Sequence, residues 1–236
     1  MRPQTYFDLL EACSQPGCPV CHVVHASTKR YLQNLFYENV NDVELRTQLV
    51  SSRGFCNQHA WMALEPGAGD ALGVAIIYHD ILGNVLNDLP SPQPAAHNGL
   101  TTLLGQIPHQ LSTAVKAAIK ALTPQAPCPG CQQREGYTHL AISTLMENLQ
   151  EDEFSDAQTG SEGLCLPHLR LALEQVKTSQ DFNKLLDLHR PKLQGLRDEL
   201  AELIRKNDYR YQDEEFGSER NAWRRAVRQT VGGKPI

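Results

Sequence analysis

Apolar residues in this chain recur mostly every three or four positions, which is the spacing of one helix face. Val24, Tyr31, Leu32, Leu35, Phe36 and Val40 follow that period in the first half, and Tyr137, Leu140, Ala141, Leu145 and Leu149 follow it in the second. A short second helix is expected after each, ending at Gly54 or Gly163, where a residue free to adopt positive φ lets the chain turn into the next cysteine. Helices then restart at Cys56 and Cys165. Further on, Leu72, Ala75, Tyr78, Leu82, Val85 and Leu89 form a stripe suited to a buried helix, and Leu111, Val115, Ala118 and Leu122 form another. Leu193, Leu196, Leu200 and Leu203 begin after Pro191, which suits the first turn of a helix. No strand alternation competes with these patterns, so the fold class is all-α.

The order of features occurs twice. Cys18-Pro-Val-Cys21, a long helical pattern, Arg53-Gly-Phe-Cys56 and His59 are followed by Cys128-Pro-Gly-Cys131, a long helical pattern, Glu162-Gly-Leu-Cys165 and His168. An offset of 109 superposes Gly54 on Gly163, Cys56 on Cys165, His59 on His168 and Leu64 on Leu173. So many chemically special coincidences imply an internally duplicated helical protein. The expected organisation is a first repeat over 1–90, a Pro-rich linker over 91–99, a second repeat over 100–207 and a C-terminal tail with one helix over 208–236.

A Cys-Pro-x-Cys turn presents two sulfurs from one tight loop, and Gly130 permits a positive φ in the second turn. The Cys-x-x-His that closes each half places its two side chains on one face of a helix start. The intervals between the pairs are 34 and 33 residues, long enough for a helical hairpin. Each half therefore offers four candidate metal ligands: Cys18, Cys21, Cys56 and His59, then Cys128, Cys131, Cys165 and His168. Three thiolates and an imidazole complete a tetrahedral zinc shell with no position for water, giving two zinc ions per chain and two metal-clasped repeats. An iron–sulfur cluster is the alternative for the same residues. Duplication favours ligands grouped within a repeat; pairing across repeats is the other arrangement.

Other features are weighed against this one. Cys18-Pro-Val-Cys21-His22 spells a haem-attachment motif, but the second repeat has Gln132 where His22 stands. Gly67-Ala-Gly69-Asp-Ala-Leu-Gly73 has the wrong spacing for a dinucleotide loop and is expected to be a turn between helices with Asp70 as N-cap. Cys13 is expected to be a packed or free thiol. Neither HExxH nor GxSxG occurs, and no residue is assigned a catalytic role.

Composition agrees: 41% of residues are hydrophobic and only 6% aromatic. A net charge of -5 gives no general attraction to phosphate or anionic lipid. The local exception is Arg220, Arg224, Arg225, Arg228 and Lys234 around Trp223, a strip that could meet nucleic acid, although a solvated helix face is the plainer expectation. A protein partner is the favoured one, and no membrane partner is expected. Without a membrane-length apolar run or a signal-type N-terminus, the expected location is cytoplasmic, where cysteines serve metals more often than disulfides.

The order CPxC, RGFCxxH, CPxC, EGLCxxH, with Asn207-Asp-Tyr-Arg-Tyr, Phe216-Gly and Trp223 in the tail, resembles an uncharacterised family of bacterial proteins known as a domain of unknown function. That resemblance implies a prokaryotic intracellular protein and brings no established activity. The function expected is a metal-binding structural or interaction protein, with a thiol-based or iron–sulfur redox protein as the alternative.

Overall fold

The computed structural model describes residues 2–92, 109–211 and 213–233. Among them the fold is all-α, with eleven α-helices, two 3-10 turns and no strand. Most of the expected linker over 91–99, together with Leu111 and Lys234, lies outside the residues whose side chains are described. No described helix is long and apolar enough to cross a membrane.

The chain forms two compact units that cut across the sequence halves. Unit 1 comprises Met1–Thr28 and Arg134–Ile236, and unit 2 comprises Lys29–Gln133. The helices are α1 (Gln4–Cys13), α2 (Pro19–Glu38), α3 (Val43–Ser51), α4 (Asn57–Ala63), α5 (Ala71–Asp88), α6 (His109–Leu122), α7 (Pro129–Asn148), α8 (Asp152–Gly160), α9 (Leu166–Glu174), α10 (Ser179–Lys206) and α11 (Ala222–Val231). The boundaries between units fall inside α2 and α7.

In unit 1, α1 packs on α8: Tyr6 is fully buried with its ring 5.6 Å from that of Phe154. Arg2 beside Tyr6 pairs with Glu151 and Glu153. Leu9, Val20, Val24, Ile142, Leu145, Leu149, Leu164 and Leu185 complete the core. The 28-residue α10 is capped by Thr178, whose hydroxyl accepts from the Asp181 N–H, and runs through Pro191. Pro191 thus lies inside the helix, not at its start: a helical proline loses one hydrogen bond, and this helix has a full three turns before it to carry the register through.

Unit 2 has its core at Leu32, Leu35, Phe36, Leu49, Phe55, Met62, Ile77 and Ile81. Asp70 caps α5 by accepting the Gly73 N–H, so the glycine-rich stretch is the interhelical turn expected. Gly67 supplies a positive φ of +77°, and the other two glycines are there for close packing. A Cβ at Gly73 would stand 2.8 Å from the Phe36 carbonyl oxygen, and one at Gly69 2.7 Å from that of Ala63. Because Gly73 seats α5, the buried face is Gly73, Ile77 and Ile81, not the stripe through Leu72 and Leu82, both of which are exposed. Val115 and Leu122 of α6 are exposed too, whereas Ala121 is buried.

Candidate metal centres

Each unit contains one cluster of three cysteines and one histidine, with all four donor atoms within 4.8 Å of one another. The local geometry is repeated closely. Gly54 and Gly163 adopt φ of +91° and +83°, turning the chain out of α3 and α8. Cys56 and Cys165 follow as N-caps with nearly identical backbone angles, φ -64° and ψ 166° against φ -65° and ψ 158°. His59 and His168, three residues on, bring Nδ1 back to within 3.2 Å and 3.3 Å of the sulfur.

The two pairs that make up each cluster come from opposite sequence halves. Site A, in unit 1, joins Cys18 and Cys21 to Cys165 and His168; site B, in unit 2, joins Cys128 and Cys131 to Cys56 and His59. This corrects the grouping of four ligands within a repeat. The physical reason is the length of the helix that follows each Cys-Pro-x-Cys turn. Both α2 and α7 have 20 residues, which carries the chain roughly 30 Å from its first turn, and the nine-residue helices α3 and α8 return about half of that.

At site A, His168 Nδ1 lies 3.4 Å from both Cys18 Sγ and Cys21 Sγ, and Cys21 Sγ lies 3.8 Å from Cys165 Sγ. At site B, His59 Nδ1 is 3.7 Å from Cys128 Sγ and 3.6 Å from Cys131 Sγ, and the Cys56 and Cys131 sulfurs are 3.6 Å apart. In the second turn Gly130 does not take a positive φ. It is needed because a Cβ there would stand 2.6 Å from Cγ of the His59 ring.

So many donors at contact distance set their own electrostatics. Burial, then the neighbouring Cys165 and Cys21, push the Cys18 thiol up, while hydrogen bonds from Cys165 and Cys18 pull Cys21 down. Burial opposes the His168 imidazolium, but Cys165 and Cys21 prevail and raise it to about 9. At site B burial lifts Cys128, and burial followed by Cys56 pushes Cys131 up to about 12. Burial also opposes ionisation of Cys56, yet the backbone N–H of His59 and the thiols of Cys131 and Cys128 bring it down. Without a cation, therefore, each cluster favours one thiolate and keeps other sulfurs protonated. A positive ion at the centre favours the deprotonated form of the sulfurs that burial holds as thiols, and its binding at neutral pH displaces their protons. Each cluster could hold a metal ion.

Several residues that support site A were not singled out as such in the sequence. His189 is buried; its Nε2 accepts the Leu164 N–H at 2.9 Å, so Nδ1 carries the proton and donates to the Leu185 carbonyl at 2.8 Å. Lys192 Nζ donates to the carbonyls of Gln158, Thr159 and Ser161, the end of α8. Together they fix the turn that presents Cys165. Their i, i+3 spacing on α10 is the only sequence signal for such a role, and it is a common one. Cys13 is buried and accepts a hydrogen bond from Gln158 Nε2 at 3.1 Å; burial raises its thiol to about 11. His22 lies outside the cluster, with Nε2 2.9 Å from the Pro16 carbonyl.

In the tail, Arg225 pairs with Glu199 and Arg228 lies 3.9 Å from Glu162. Arg220 and Arg224 are exposed, the latter stacked on Trp223. Two of the four arginines thus hold α11 down.

The chain is 26% identical over 228 residues to an uncharacterized 23.9 kDa protein in the xynA 3′ region of Caldicellulosiruptor sp. (strain Rt8B.4), covering 95% of this chain and 99% of that one. No solved structure matches it. Residues 7–236 match a family described as a family of unknown function, DUF6062, and the chain belongs to that family.

Proposed function

We propose that this protein is a two-zinc helical scaffold in which sites A and B each clasp one compact unit and hold its surface in shape for a protein partner. The observation that carries this is the donor spacing. A tetrahedral zinc ion with Zn–S of about 2.3 Å and Zn–N of about 2.0 Å sets S···S near 3.8 Å and S···N near 3.5 Å. The Cys21–Cys165 and Cys56–Cys131 spacings of 3.8 and 3.6 Å, the six sulfur-to-nitrogen spacings of 3.2–3.7 Å, and a limit of 4.8 Å on every donor pair suit that ion. In a four-iron cluster each ligand binds a different corner, so the ligands stand further apart than four donors gathered within 4.8 Å of one another. Four protein donors leave no coordination position for substrate, which favours a structural ion over a catalytic one.

The partner-facing side of this reading draws on α11, where Trp223, Val227 and Val231 are exposed at i, i+4 and i+8 beside Arg220 and Arg224. Such a face suits an acidic, amphipathic protein segment; with only two arginines outside ion pairs, it is a poor match to a phosphate backbone. Elemental mass spectrometry on untagged protein tests the metal. The expected result is two equivalents of zinc per chain with no visible absorption. Iron with sulfide, or metal-free protein that takes up no zinc, would overturn the proposal.

A further inference from the structure

The C-terminal segment, which lies outside the repeated pattern, brings Gly232 and Gly233 onto the sulfurs of site A. Its course there is well anchored within unit 1. Buried Glu219 accepts from Lys206 Nζ at 2.8 Å, Arg225 pairs with Glu199 of α10, and Gln229 Nε2 donates to the carbonyl of Leu164, the residue before Cys165. After Val231 the backbone turns at Gly232 with φ +94°, where a Cβ would sit 3.6 Å from Cys21 Sγ and 3.7 Å from Cys165 Sγ. The N–H of Gly233 then donates to Cys21 Sγ at 3.2 Å.

We propose that Gly232 and Gly233 form a latch over site A, so that its metal resists exchange only while the tail is docked. The inference rests on the two-metal reading. Metal leaves a closed thiolate shell when a proton or an incoming ligand reaches a sulfur, and the latch hinders both. It covers Cys21 and Cys165 with main chain, and it adds to Cys21 an N–H from outside both knuckles, which stabilises the thiolate and lowers its basicity. Among the described residues, the hydrogen bonds to the sulfurs of site B come from its own knuckles, through the backbone of Gln58, His59, Gly130 and Cys131 and the ligand side chains. An event that lifts α11 therefore opens site A and leaves site B unchanged.

The experiment is metal transfer from zinc-loaded protein to excess 4-(2-pyridylazo)resorcinol, followed by absorbance. Cys56→Ser with Cys131→Ser leaves site A alone, and Cys18→Ser with Cys21→Ser leaves site B alone. Into each background goes either Gly233→Pro, which removes the N–H, or a stop after Val231, with circular dichroism as the control for folding. Release from site A is expected to accelerate about ten-fold or more, and release from site B to stay within about two-fold, as befits loss of a hydrogen bond to a charged acceptor together with its cover. An unchanged rate at site A, or equal acceleration at both sites, overturns the latch. Should the chain hold no zinc at all, the two-metal reading fails separately. The tail's cover over Cys21 is then decided by iodoacetamide labelling of Cys21 in metal-free protein: faster labelling after truncation upholds the cover, and an equal rate rejects it.

Discussion

Gly130 and Val20 occupy the same place in the two Cys-Pro-x-Cys turns, yet they serve different packing. Val20 is fully buried in the core of unit 1, whereas Gly130 leaves room for the His59 ring. A methyl group at Gly130 would overlap three ring atoms, all closer than 3.0 Å, and the ring cannot retreat without taking Nδ1 from the sulfurs. Gly130→Ala is therefore expected to destabilise unit 2 by about 1–3 kcal/mol, the usual cost of overpacking, and to release the metal of site B while site A stays loaded. Metal content per chain, falling from two equivalents to one, is the measurement; a retained second equivalent would show that the ring has another place to go. At this scale much was legible in advance. The eight candidate donors, which gather in two clusters, could be named because Cys and His at these spacings have few other uses, and Asp70 could be named as a cap because its chemistry is local. Gly130 could be singled out, but its reason could not, because the ring that needs the space lies far away in sequence.

At the scale of elements, two 20-residue helices decide which donors meet. Each carries its Cys-Pro-x-Cys turn at one end and delivers the chain, through a short return helix, to a Cys-x-x-His that faces the other half's turn. Removing Cys18 together with Cys165 consequently takes away parts of one site only. The double variant Cys18→Ser, Cys165→Ser is expected to keep one zinc per chain, and Cys18→Ser, Cys56→Ser to keep none; the opposite result would restore grouping within repeats. The same scale shows why amphipathic stripes mislead. Helix α5 carries apolar residues around most of its circumference, so periodicity alone cannot say that the Gly73, Ile77 and Ile81 face is the one against the core. The contact of Gly73 with the backbone of Phe36 makes that choice.

For the whole molecule, the two sites join chain segments that local structure would not hold together. Site A connects the N-terminal part of α2 to the start of α9, and site B connects the start of α4 to the start of α7. A structural zinc ion contributes about 10–16 kcal/mol of apparent binding free energy in small peptides, as large as the roughly 5–15 kcal/mol by which whole domains are stable. If both clusters hold zinc as proposed, stripping the ions with a chelator should cost helicity and lower the melting temperature by more than about 10 °C, recoverable on adding zinc. Circular dichroism melts of loaded and stripped protein provide the check, and an unchanged curve would deny the ions a structural role.

What the sequence determined alone is everything carried by local chemistry and period: helices without strands, positive-φ glycines before Cys56 and Cys165, eight Cys and His candidates, and the family resemblance. What only the tertiary structure decided is which donors share a site, which face of a helix is inside, and that Gly232 and Gly233 rest on Cys21. These depend on where long helices deliver their ends. Residues 212 positions apart in the chain, Cys21 and Gly233, come into hydrogen-bonding contact through the sum of every turn between them, and no local pattern records that sum.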